Sequence, residues 1–473
     1  MLAASFKRTK IVATIGPASS SPQVLEQLLL AGVNMFRLNF SHGTQEEHGE
    51  VFHAVRKLSA KHSRPAAILA DLQGPKIQVG MLPADGLPFV RDHLIRFELD
   101  ADYDATGIVP VRHNIAKYLK KGERIFLHDG QIVVEVEKIE KHLIATRVIA
   151  PGILLSNQGI NLPDTDLGGE ITTEKDLSDL KFAVDLGADY VGYSFVQTAA
   201  DIENLRARLK KLQAPDMQII AKIETAAAVE HLEAIVAATD CLMVARGDLA
   251  IETKPESVPA AQRRMIELGK RYRKPVIVAT QMLESMIQSP TPTRAEVSDV
   301  ATAVLEGADA VMLSAETAVG LFPVDTVKMM KRIILYTERE ELPQLSSGAP
   351  AAGPDGDHTN AVSAAAVVLA RQLGAKVIIA ETSSGQTARN VSALRPGVPI
   401  IMVTDHERVY HQMAIVWGGK SYLADSMDGA TERVIRELKS AGNVAAGDAL
   451  VVASGYQPGL VGGTDRVQIK IVE

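Results

Sequence analysis

Residues 217–225 read Met-Gln-Ile-Ile-Ala-Lys-Ile-Glu-Thr, and residues 241–249 read Cys-Leu-Met-Val-Ala-Arg-Gly-Asp-Leu. Each stretch begins with an apolar run that is typical of a parallel strand buried on both faces. Lys222 and Glu224 end the first run, and Asp248 follows the second. Burying charge is unfavourable unless the charge is paired or bound to a metal. We therefore expect Glu224 and Asp248 to hold a cation, with Lys222 beside it.

The same alternation of apolar strand and amphipathic helix runs through most of the chain. About eight such units, without alternating amphipathic strands, predict an α/β fold of the parallel (β/α)8 or TIM-barrel type. A doubly wound open sheet fits less well, because the G-x-G-x-x-G pattern is absent after the first strand. The predicted barrel strands are Ile11–Ile15, Val33–Phe40, Ala67–Leu72, Tyr190–Phe195, Met217–Ile223, Cys241–Ala245, Pro275–Thr280 and Ala308–Leu313.

Two interruptions divide the chain into three predicted units. After the third strand, short strands separated by Gly, Asp and Pro turns predict a small inserted β domain that stands over the barrel mouth. Residues 343–357 are rich in Pro, Gly and Ala and predict an exposed linker, beyond which α/β alternation resumes. The predicted units are a barrel at 1–74 and 171–340, a β-rich lid at 75–170, and a C-terminal α/β domain at 341–473.

Composition excludes several functional classes. The 473 residues are 46% apolar and 23% charged, which is ordinary for a soluble globular protein. The net charge is −7 and no basic run resembles a nucleic-acid footprint, so we expect no nucleic-acid partner. The single cysteine, Cys241, lies in an apolar run and fits a buried residue in a reducing compartment. No apolar stretch reaches membrane-spanning length, so we expect a cytoplasmic protein without membrane contact.

Polar residues follow nearly every predicted barrel strand. Carboxyl ends of parallel barrel strands converge on one face, where function collects. A single polar residue there is most often a solvated loop residue, but so many together favour a shared site. Residues two apart on a strand share a face, so Arg37 should point with Asn39, and Lys222 with Glu224. The set is Arg37, Asn39, Ser41, Asp71, Lys222, Glu224, Asp248, Thr280, Gln281, Ser314 and Glu316.

These residue types favour phosphoryl or enolate chemistry. Two carboxylates that leave room for water and substrate oxygens are typical of Mg2+. Arg37 and Lys222 would neutralise a transferring phosphoryl group, and the N–H groups of Gly247 and Asp248 could bind a carboxylate. A divalent-metal lyase acting on a pyruvate enolate could use the same carboxylate pair and arginine in a barrel, and it remains an alternative.

Long ordered motifs over nearly the whole chain resemble those of the pyruvate kinase family. They are Thr9-Lys-Ile-Val-Ala-Thr-Ile-Gly-Pro17, Arg37-Leu-Asn-Phe-Ser-His-Gly43, Ile220-Ala-Lys-Ile-Glu224, Met243-Val-Ala-Arg-Gly-Asp-Leu249, Ala279-Thr-Gln-Met-Leu-Glu-Ser285, Pro292-Thr-Arg-Ala-Glu-Val297 and Met312-Leu-Ser-Ala-Glu-Thr317. The resemblance implies an enzyme that transfers phosphate from phosphoenolpyruvate to ADP, giving pyruvate and ATP in glycolysis. It also implies a barrel, a lid inserted after the third strand, a C-terminal regulatory domain and a homotetramer.

The resemblance also assigns roles to residues. Arg37 and Lys222 contact the transferring phosphoryl group, and Glu224 and Asp248 hold Mg2+ or Mn2+. The substrate carboxylate is bound by Gly247, Asp248 and Thr280. The expected nucleotide contacts are Asn39, His42 and Lys175. Enolate protonation is expected through water near Thr280, Ser314 and Glu316.

This chain departs from the family pattern after the third strand. Members that need K+ carry a glutamate where this chain has Lys76, within Asp71-Leu-Gln-Gly-Pro-Lys-Ile-Gln78. Asn39, Ser41, Asp71 and Leu72 could still form an oxygen cage for K+. Our hypothesis is that the fixed ammonium of Lys76 replaces the ion, so that activity does not require K+. Gln78 replaces an arginine expected near the nucleotide phosphates.

A Ser/Thr/Gly loop in the C-terminal domain offers hydroxyl and N–H groups to a phosphate. An ordinary strand-to-helix turn is an equally good reading of the residues alone. In the family, this loop binds a phosphorylated effector, and Gln386 replaces its usual arginine. A sugar monophosphate or AMP is therefore favoured over fructose 1,6-bisphosphate. A catalytically inactive metabolite sensor is a further alternative, against which the intact Lys222 argues. The loop comprises Thr382, Ser383, Ser384, Gly385, Gln386 and Thr387.

Overall fold

The structure is a computed structural model that describes residues 6–128, 130–165, 171–340, 358–455 and 464–473. Its N-terminal part contains the first three barrel strands and two helices. The helix α2 begins with a capping box in which Thr44 and Glu47 satisfy each other's backbone N–H groups. Helix α1 begins after Ser21, with Pro22 as its first residue. The elements are β1 (Lys10–Ile15), α1 (Pro22–Ala31), β2 (Met35–Asn39), α2 (Gln45–His62) and β3 (Ala67–Asp71).

The lid follows β3 and contains short strands in two sheets. A six-stranded, mostly antiparallel sheet has the order β11-β7-β8-β9-β5-β6, and β10 pairs with β4. Its apolar core is separate from that of the barrel. The sequence predicts strands at Leu94–Leu99, Arg124–Leu127, Ile132–Val136 and Ile144–Val148, and it missed the strands of two or three residues. The elements are β4 (Leu87–Phe89), β5 (Leu94–Leu99), α3 (Tyr103–Thr106), β6 (Val109–Val111), β7 (Arg124–Leu127), β8 (Ile132–Glu140), β9 (Leu143–Ala150), β10 (Gly152–Leu154) and β11 (Ile160–Asn161).

The chain then returns to complete the barrel. The strands close in the order β1-β16-β15-β14-β13-β12-β3-β2, all parallel, which confirms the predicted (β/α)8 barrel. The elements are α4 (Glu174–Leu186), β12 (Tyr190–Tyr193), α5 (Ala199–Lys211), β13 (Gln218–Ile223), α6 (Ala226–Glu230), α7 (Leu232–Ala238), β14 (Cys241–Ala245), α8 (Arg246–Glu252), α9 (Val258–Tyr272), β15 (Val276–Ala279), α10 (Arg294–Glu306), β16 (Ala310–Leu313), α11 (Ala315–Ala318) and α12 (Pro323–Glu340).

All residues of the barrel strands β1, β3, β12, β14, β15 and β16 are buried, as the continuous apolar runs predicted. Cys241 lies inside β14, and burial raises the pKa of its thiol. It is therefore a buried apolar residue rather than a reactive thiolate. The observed ends of the barrel strands differ from the predicted ends by at most two residues.

The C-terminal domain is a five-stranded sheet of order β19-β18-β17-β20-β21 whose last strand is antiparallel. It confirms the predicted α/β fold. The predicted linker at 343–357 lies outside the described residues, and the predicted domain boundaries remain predictions. None of the described helices is long and apolar enough to cross a membrane. The elements are α13 (His358–Gln372), β17 (Val377–Glu381), α14 (Gln386–Ala393), β18 (Ile400–Thr404), α15 (Glu407–Gln412), β19 (Gly419–Leu423), α16 (Ala430–Ser440), β20 (Ala449–Gly455) and β21 (Thr464–Ile471).

Candidate active site

A cavity of about 740 Å³ lies between the carboxyl ends of the barrel strands and the lid. Its walls combine barrel residues with lid residues, of which the sequence indicated only Lys76, because the others follow no strand of the barrel. The barrel contributes Arg37, Asn39, Ser41, His42, Lys222, Glu224 and Asp248, and the lid segment contributes Lys76, His113, Asn114, Lys117, Tyr118 and Asn161. Most of the residues predicted from the strand ends therefore meet in one place.

A buried network of charges forms the floor of this cavity. Asp71 accepts a hydrogen bond of 2.6 Å from Arg37 Nε, and its Oδ1 lies 3.5 Å from Lys222 Nζ. Lys222 also contacts Glu224 Oε1 at 2.8 Å and donates to Ser194 Oγ at 2.8 Å. Arg37 lies on β2, Asp71 on β3, Lys222 on β13 with Glu224 just after it, and Ser194 in the turn after β12, so closure of the barrel assembles these five groups.

The network fixes the charge of its members. Burial alone would raise the pKa of Asp71, but Lys222 and Arg37 hold it below its ordinary value. Burial also opposes the charge of Lys222, yet Asp71 and Glu224 keep the pKa of its amine above the ordinary value. Lys222 is therefore a permanent cation that can bind an anion but cannot exchange protons near neutral pH.

Glu224 and Asp248 are the two carboxylates that the sequence predicts as ligands of a cation. Glu224 is 1% exposed, and its Oε2 accepts a hydrogen bond of 2.8 Å from the N–H of Phe195. Asp248 lies in the first turn of α8, directly after β14. No group of three or more His, Cys, Asp or Glu residues within the described ranges could hold a metal. Two carboxylates beside open cavity space fit Mg2+, which keeps positions for water and substrate.

The turn after β15 places Thr280 beside the start of α8. Thr280 has a φ of 67°, which is unusual for a β-branched residue. Its hydroxyl accepts a hydrogen bond of 2.9 Å from the N–H of Gly247. That N–H, predicted to bind a substrate carboxylate, is thus already bonded in this structure. Neither residue lines the cavity directly, although Gly247 directly precedes Asp248, which does.

Arg246 holds this turn in its strained conformation, a role that sequence reasoning missed. Its guanidinium donates to the carbonyls of Ala279 at 3.2 Å and Thr280 at 2.6 Å. It also pairs with Asp299 at 2.7 Å. The residue directly precedes Gly247 and Asp248, so its charge was visible in the sequence. Nothing local indicated that it turns away from the cavity to bind backbone carbonyls.

Ser314 and Glu316 lie beneath the site rather than in its wall. Glu316 is buried and accepts hydrogen bonds from the N–H groups of Ser314 at 2.6 Å and Leu283 at 3.2 Å. Burial raises the pKa of Glu316. The buried hydroxyl of Ser314 has no hydrogen-bond partner among the described residues. Neither side chain lines the cavity, so a role in proton transfer would act through water or through the Thr280 turn.

The three predicted nucleotide contacts separate into two groups. Asn39 and His42 line the cavity, and burial together with Lys76 and Arg37 lowers the pKa of His42. Lys175 does not line it, since its amine donates to Phe40 O at 2.6 Å and pairs with Asp179 at 2.5 Å. Gln78 is also outside the wall and donates to Asn157 O at 2.9 Å. Lys175 and Gln78 would have to move to reach a nucleotide.

The predicted monovalent-ion site is partly used by the protein itself. The carbonyl of Leu72 accepts the hydroxyl of Ser194 at 2.7 Å, and Asn39 Oδ1 accepts the N–H of Ser41 at 3.2 Å. Asp71 Oδ1 is buried and accepts no hydrogen bond from the described residues. Lys76 lines the same cavity, and its side chain forms no hydrogen bond or ion pair with a described residue.

The Ser/Thr/Gly loop of the C-terminal domain joins β17 to α14. Gly385 has a φ of 80°, which an L side chain would adopt only with strain, and it caps the helix. Gln386 donates to Asn390 Oδ1 at 2.7 Å, and Thr387 shares a hydrogen bond of 2.6 Å with Thr464. The loop therefore has the expected position at a helix N-terminus, but Gln386 turns back onto its own helix.

Comparisons with known proteins agree over both parts of the chain. The family model for the pyruvate kinase barrel domain matches residues 6–327, and that for the pyruvate kinase alpha/beta domain matches residues 360–470. A pyruvate kinase of Agrobacterium vitis is 42% identical over 99% of each chain. Those of Corynebacterium efficiens and Mycobacterium tuberculosis are 38% and 36% identical over 98% of each chain. The chain therefore belongs to the pyruvate kinase family and is a phosphotransferase.

Proposed function

We propose that the protein transfers the phosphoryl group of phosphoenolpyruvate to ADP and releases pyruvate and ATP. The observation that carries this proposal is the permanently charged Lys222, held between Asp71 and Glu224 in a cavity that also contains Arg37 and Asp248. A fixed cation at the bottom of a closed site stabilises a transferring phosphoryl group without being consumed.

A divalent cation, Mg2+ or Mn2+, would be held by Glu224 and Asp248. When bound, it would neutralise charge on the phosphoryl and substrate oxygens. The other contacts to the phosphoryl group come from side chains of the protein. Arg37 and Lys222 bind the phosphoryl oxygens from two sides, since both reach Asp71 from different strands.

The substrate carboxylate is proposed to lie near Asp248 and the Gly247–Thr280 hydrogen bond. There the carboxylate would compete for the N–H of Gly247, and the Thr280 hydroxyl, which donates to Ala279 O at 2.7 Å, would turn from that carbonyl toward the enolate. That hydroxyl, together with water ordered near Ser314 and Glu316, would then protonate the enolate. Asn39 and His42 would contact the nucleotide, joined by Lys117 of the lid, and Lys175 would follow only after leaving Asp179.

A coupled pyruvate assay with and without ADP tests the reaction. We expect pyruvate to form only when phosphoenolpyruvate, ADP and a divalent cation are all present. Consumption of phosphoenolpyruvate that does not depend on ADP would instead indicate the lyase alternative. Loss of activity after chelation, and its return with Mg2+ or Mn2+, tests the proposed metal dependence.

We further propose that the reaction does not require K+, because Lys76 brings a fixed positive charge to the cavity. The Thr382–Thr387 loop is proposed to bind a phosphorylated effector, a sugar monophosphate or AMP, which activates the enzyme. Replacing Thr382 by Val should remove this activation while leaving the unactivated rate unchanged. Cytoplasmic location, a role in glycolysis and a homotetramer are further proposals drawn from the family.

A further inference from the structure

A second charged cavity lies at the opposite end of the barrel, where the barrel meets the C-terminal domain. Asp309 directly precedes β16 and Lys274 lies two residues before β15, so the cavity is at the amino ends of these strands. Its other wall is formed by α14 and the turn that follows. Among the described residues that line it, five are cations and one is an acid: Lys270, Arg273, Lys274, Arg389, Arg395 and Asp309.

The acid does not balance the cations. Asp309 Oδ1 pairs with Arg395 at 2.9 Å, and its Oδ2 accepts the N–H of Val276 at 2.9 Å. Asp240, which also acts on Lys274, already pairs with Arg206 at 3.0 Å. Once these pairs are assigned, Lys270, Lys274 and Arg389 remain as like charges around a narrow cavity at the domain junction.

The contacts of the remaining cations are mostly with neutral groups. Lys270 donates to the carbonyl of Glu306 at 2.5 Å. The amine of Lys274 forms no hydrogen bond or ion pair with any described residue. Burial and Arg395 lower the pKa of Lys270 to about 8, and burial lowers that of Lys274 as well. Crowded, desolvated cations of this kind are unfavourable unless an anion relieves them.

We propose that this cavity binds a phosphate group, with Lys274 and Arg389 as its main ligands. The enclosed volume is about 10 Å³, enough for one atom the size of a water oxygen. One phosphate oxygen therefore enters, and the others remain at the rim, where Lys274 and Arg389 are half-buried. The planar guanidinium of arginine suits two phosphate oxygens at once.

Arg389 also connects this site to the Thr382–Thr387 loop. Its Nη2 donates to the carbonyl of Ser384 at 3.1 Å and to Gln386 Oε1 at 3.2 Å. A phosphate that binds Arg389 would therefore compete with these two contacts and so affect the loop. The site itself depends on neither the proposed reaction nor a ligand in that loop.

The binding test uses Lys274→Gln, which removes one charge and no observed contact. Lys420→Gln is the matched control, because Lys420 is an exposed lysine of the same molecule that does not line this cavity. Calorimetric titration with inorganic phosphate, at ionic strength fixed by KCl, should show about tenfold weaker binding at one site in Lys274→Gln. Lys420→Gln should bind within twofold of the unchanged protein. Equal affinity in all three proteins would overturn the proposal.

A phosphate monoester titrated in parallel identifies the source of the group. Similar affinity for both probes indicates recognition of the phosphate alone, and tighter binding of the monoester indicates an organic ligand. Thr382→Val should keep this binding, which separates the cavity from the loop above it. Loss of the Lys274-dependent binding in Thr382→Val would place the anion in the loop and overturn the proposal.

Thermal unfolding gives a second readout that a purely structural lysine would not produce. In phosphate-free buffer of low salt, Lys274→Gln should melt at a higher temperature than the unchanged protein, because one repelling charge is gone. Phosphate should raise the Tm of the unchanged protein and of Lys420→Gln, but raise that of Lys274→Gln less. A lower Tm for Lys274→Gln, with the phosphate effect intact, would show that Lys274 only supports the fold.

Discussion

At the scale of single residues, the charge network on the cavity floor explains why the site tolerates buried carboxylates. Asp71 and Glu224 are 1% exposed, and each is compensated by Lys222. Removing one partner of a buried ion pair is costly, because the other charge is left without compensation. Lys222 therefore supports both the proposed chemistry and the integrity of the cavity.

Replacing Lys222 by Met should abolish phosphoryl transfer, lowering kcat by at least about 10³-fold. It should also lower the free energy of unfolding by about 3 kcal/mol, because Asp71 and Glu224 lose their shared cation. Steady-state kinetics and chemical denaturation measure the two effects. Lys211→Met, at an exposed position on α5, is the control and should change neither. Retained turnover in Lys222→Met would refute the proposed role.

Replacing Lys76 by Glu should make activity depend on K+. The fixed ammonium would be lost, and a carboxylate in its place would favour a bound monovalent cation near Asp71. The assay compares Na+, K+ and a large organic cation as the only monovalent ions. We expect the unchanged protein to turn over in all three, and Lys76→Glu to gain at least about tenfold from K+. A K+ requirement in the unchanged protein would contradict the hypothesis.

At the scale of elements, two tethers position the parts that carry the site. Arg246, at the start of α8, binds carbonyls of the turn after β15 and so sets Thr280. Asp176, in the first turn of α4, accepts the N–H of Gly74 at 3.0 Å and that of Thr173 at 2.9 Å. Gly74 and Thr173 lie where the chain enters and leaves the lid, so one buried carboxylate ties both connections.

Replacing Arg246 by Gln should lower kcat more than it changes KM for the nucleotide. The carbonyls of Ala279 and Thr280 would lose charged donors, and the left-handed conformation of Thr280 would relax. We expect a 10- to 100-fold loss in kcat, about 1.4–2.8 kcal/mol in the activation barrier. Arg271→Gln, an exposed arginine at the end of α9, serves as control. Equal losses in both variants would show that Arg246 has no special role.

Replacing Asp176 by Ala should loosen the lid connections. The variant loses a capping box and the bond to Gly74, so the free energy of unfolding should fall by about 2 kcal/mol. Hydrogen exchange should quicken at residues 74–76 and 171–176 while the barrel strands stay protected. Thr173→Ala removes only the cap and should cost about 1 kcal/mol. If both variants were equally stable, the tether to Gly74 would contribute nothing.

At the scale of the whole molecule, polar contacts join the barrel to the lid and to the C-terminal domain, and at the second junction Ala414 and Ile415 also pack against apolar residues of the barrel. The lid reaches α8 through Asn161 Nδ2, which donates to Glu252 Oε1 at 2.9 Å. The C-terminal domain meets the barrel through Tyr190, whose hydroxyl donates to Gln412 O at 2.8 Å, and through Arg395 with Asp309. Polar contacts that involve charged groups, Glu252 and the Arg395–Asp309 pair, therefore lie at both ends of the barrel.

The Asn161–Glu252 contact should depend on pH. Burial, with Asp248 and Glu224 nearby, raises the pKa of Glu252, so its proton is held more firmly in the folded protein. The stabilisation that protonated Glu252 contributes is therefore complete at low pH and is lost as pH rises through the folded-state pKa of Glu252. Glu252→Gln keeps an acceptor for Asn161 and should raise the Tm by about 2 °C at pH 8, with less change at pH 4.5. A larger gain at the acidic pH would contradict this sign.

The sequence by itself determined the barrel and the polar ends of its strands. Buried parallel strands need continuous apolar runs, and helix caps such as Thr44 with Glu47 are local patterns, so both are legible along the chain. Arg37, Lys222, Glu224 and Asp248 could be placed together for the same reason, because parallel strands share a carboxyl end.

Only the tertiary structure decided which charges compensate one another. Lys222 could have faced a ligand alone, but closure of the barrel brings Asp71 beside it. The turn of Arg246 away from the cavity, the lid residue Lys117 in its wall, and the junction of Lys274 with Arg389 depend on contacts distant in sequence. Electrostatic compensation is set by distances in three dimensions, and no local sequence pattern encodes those distances.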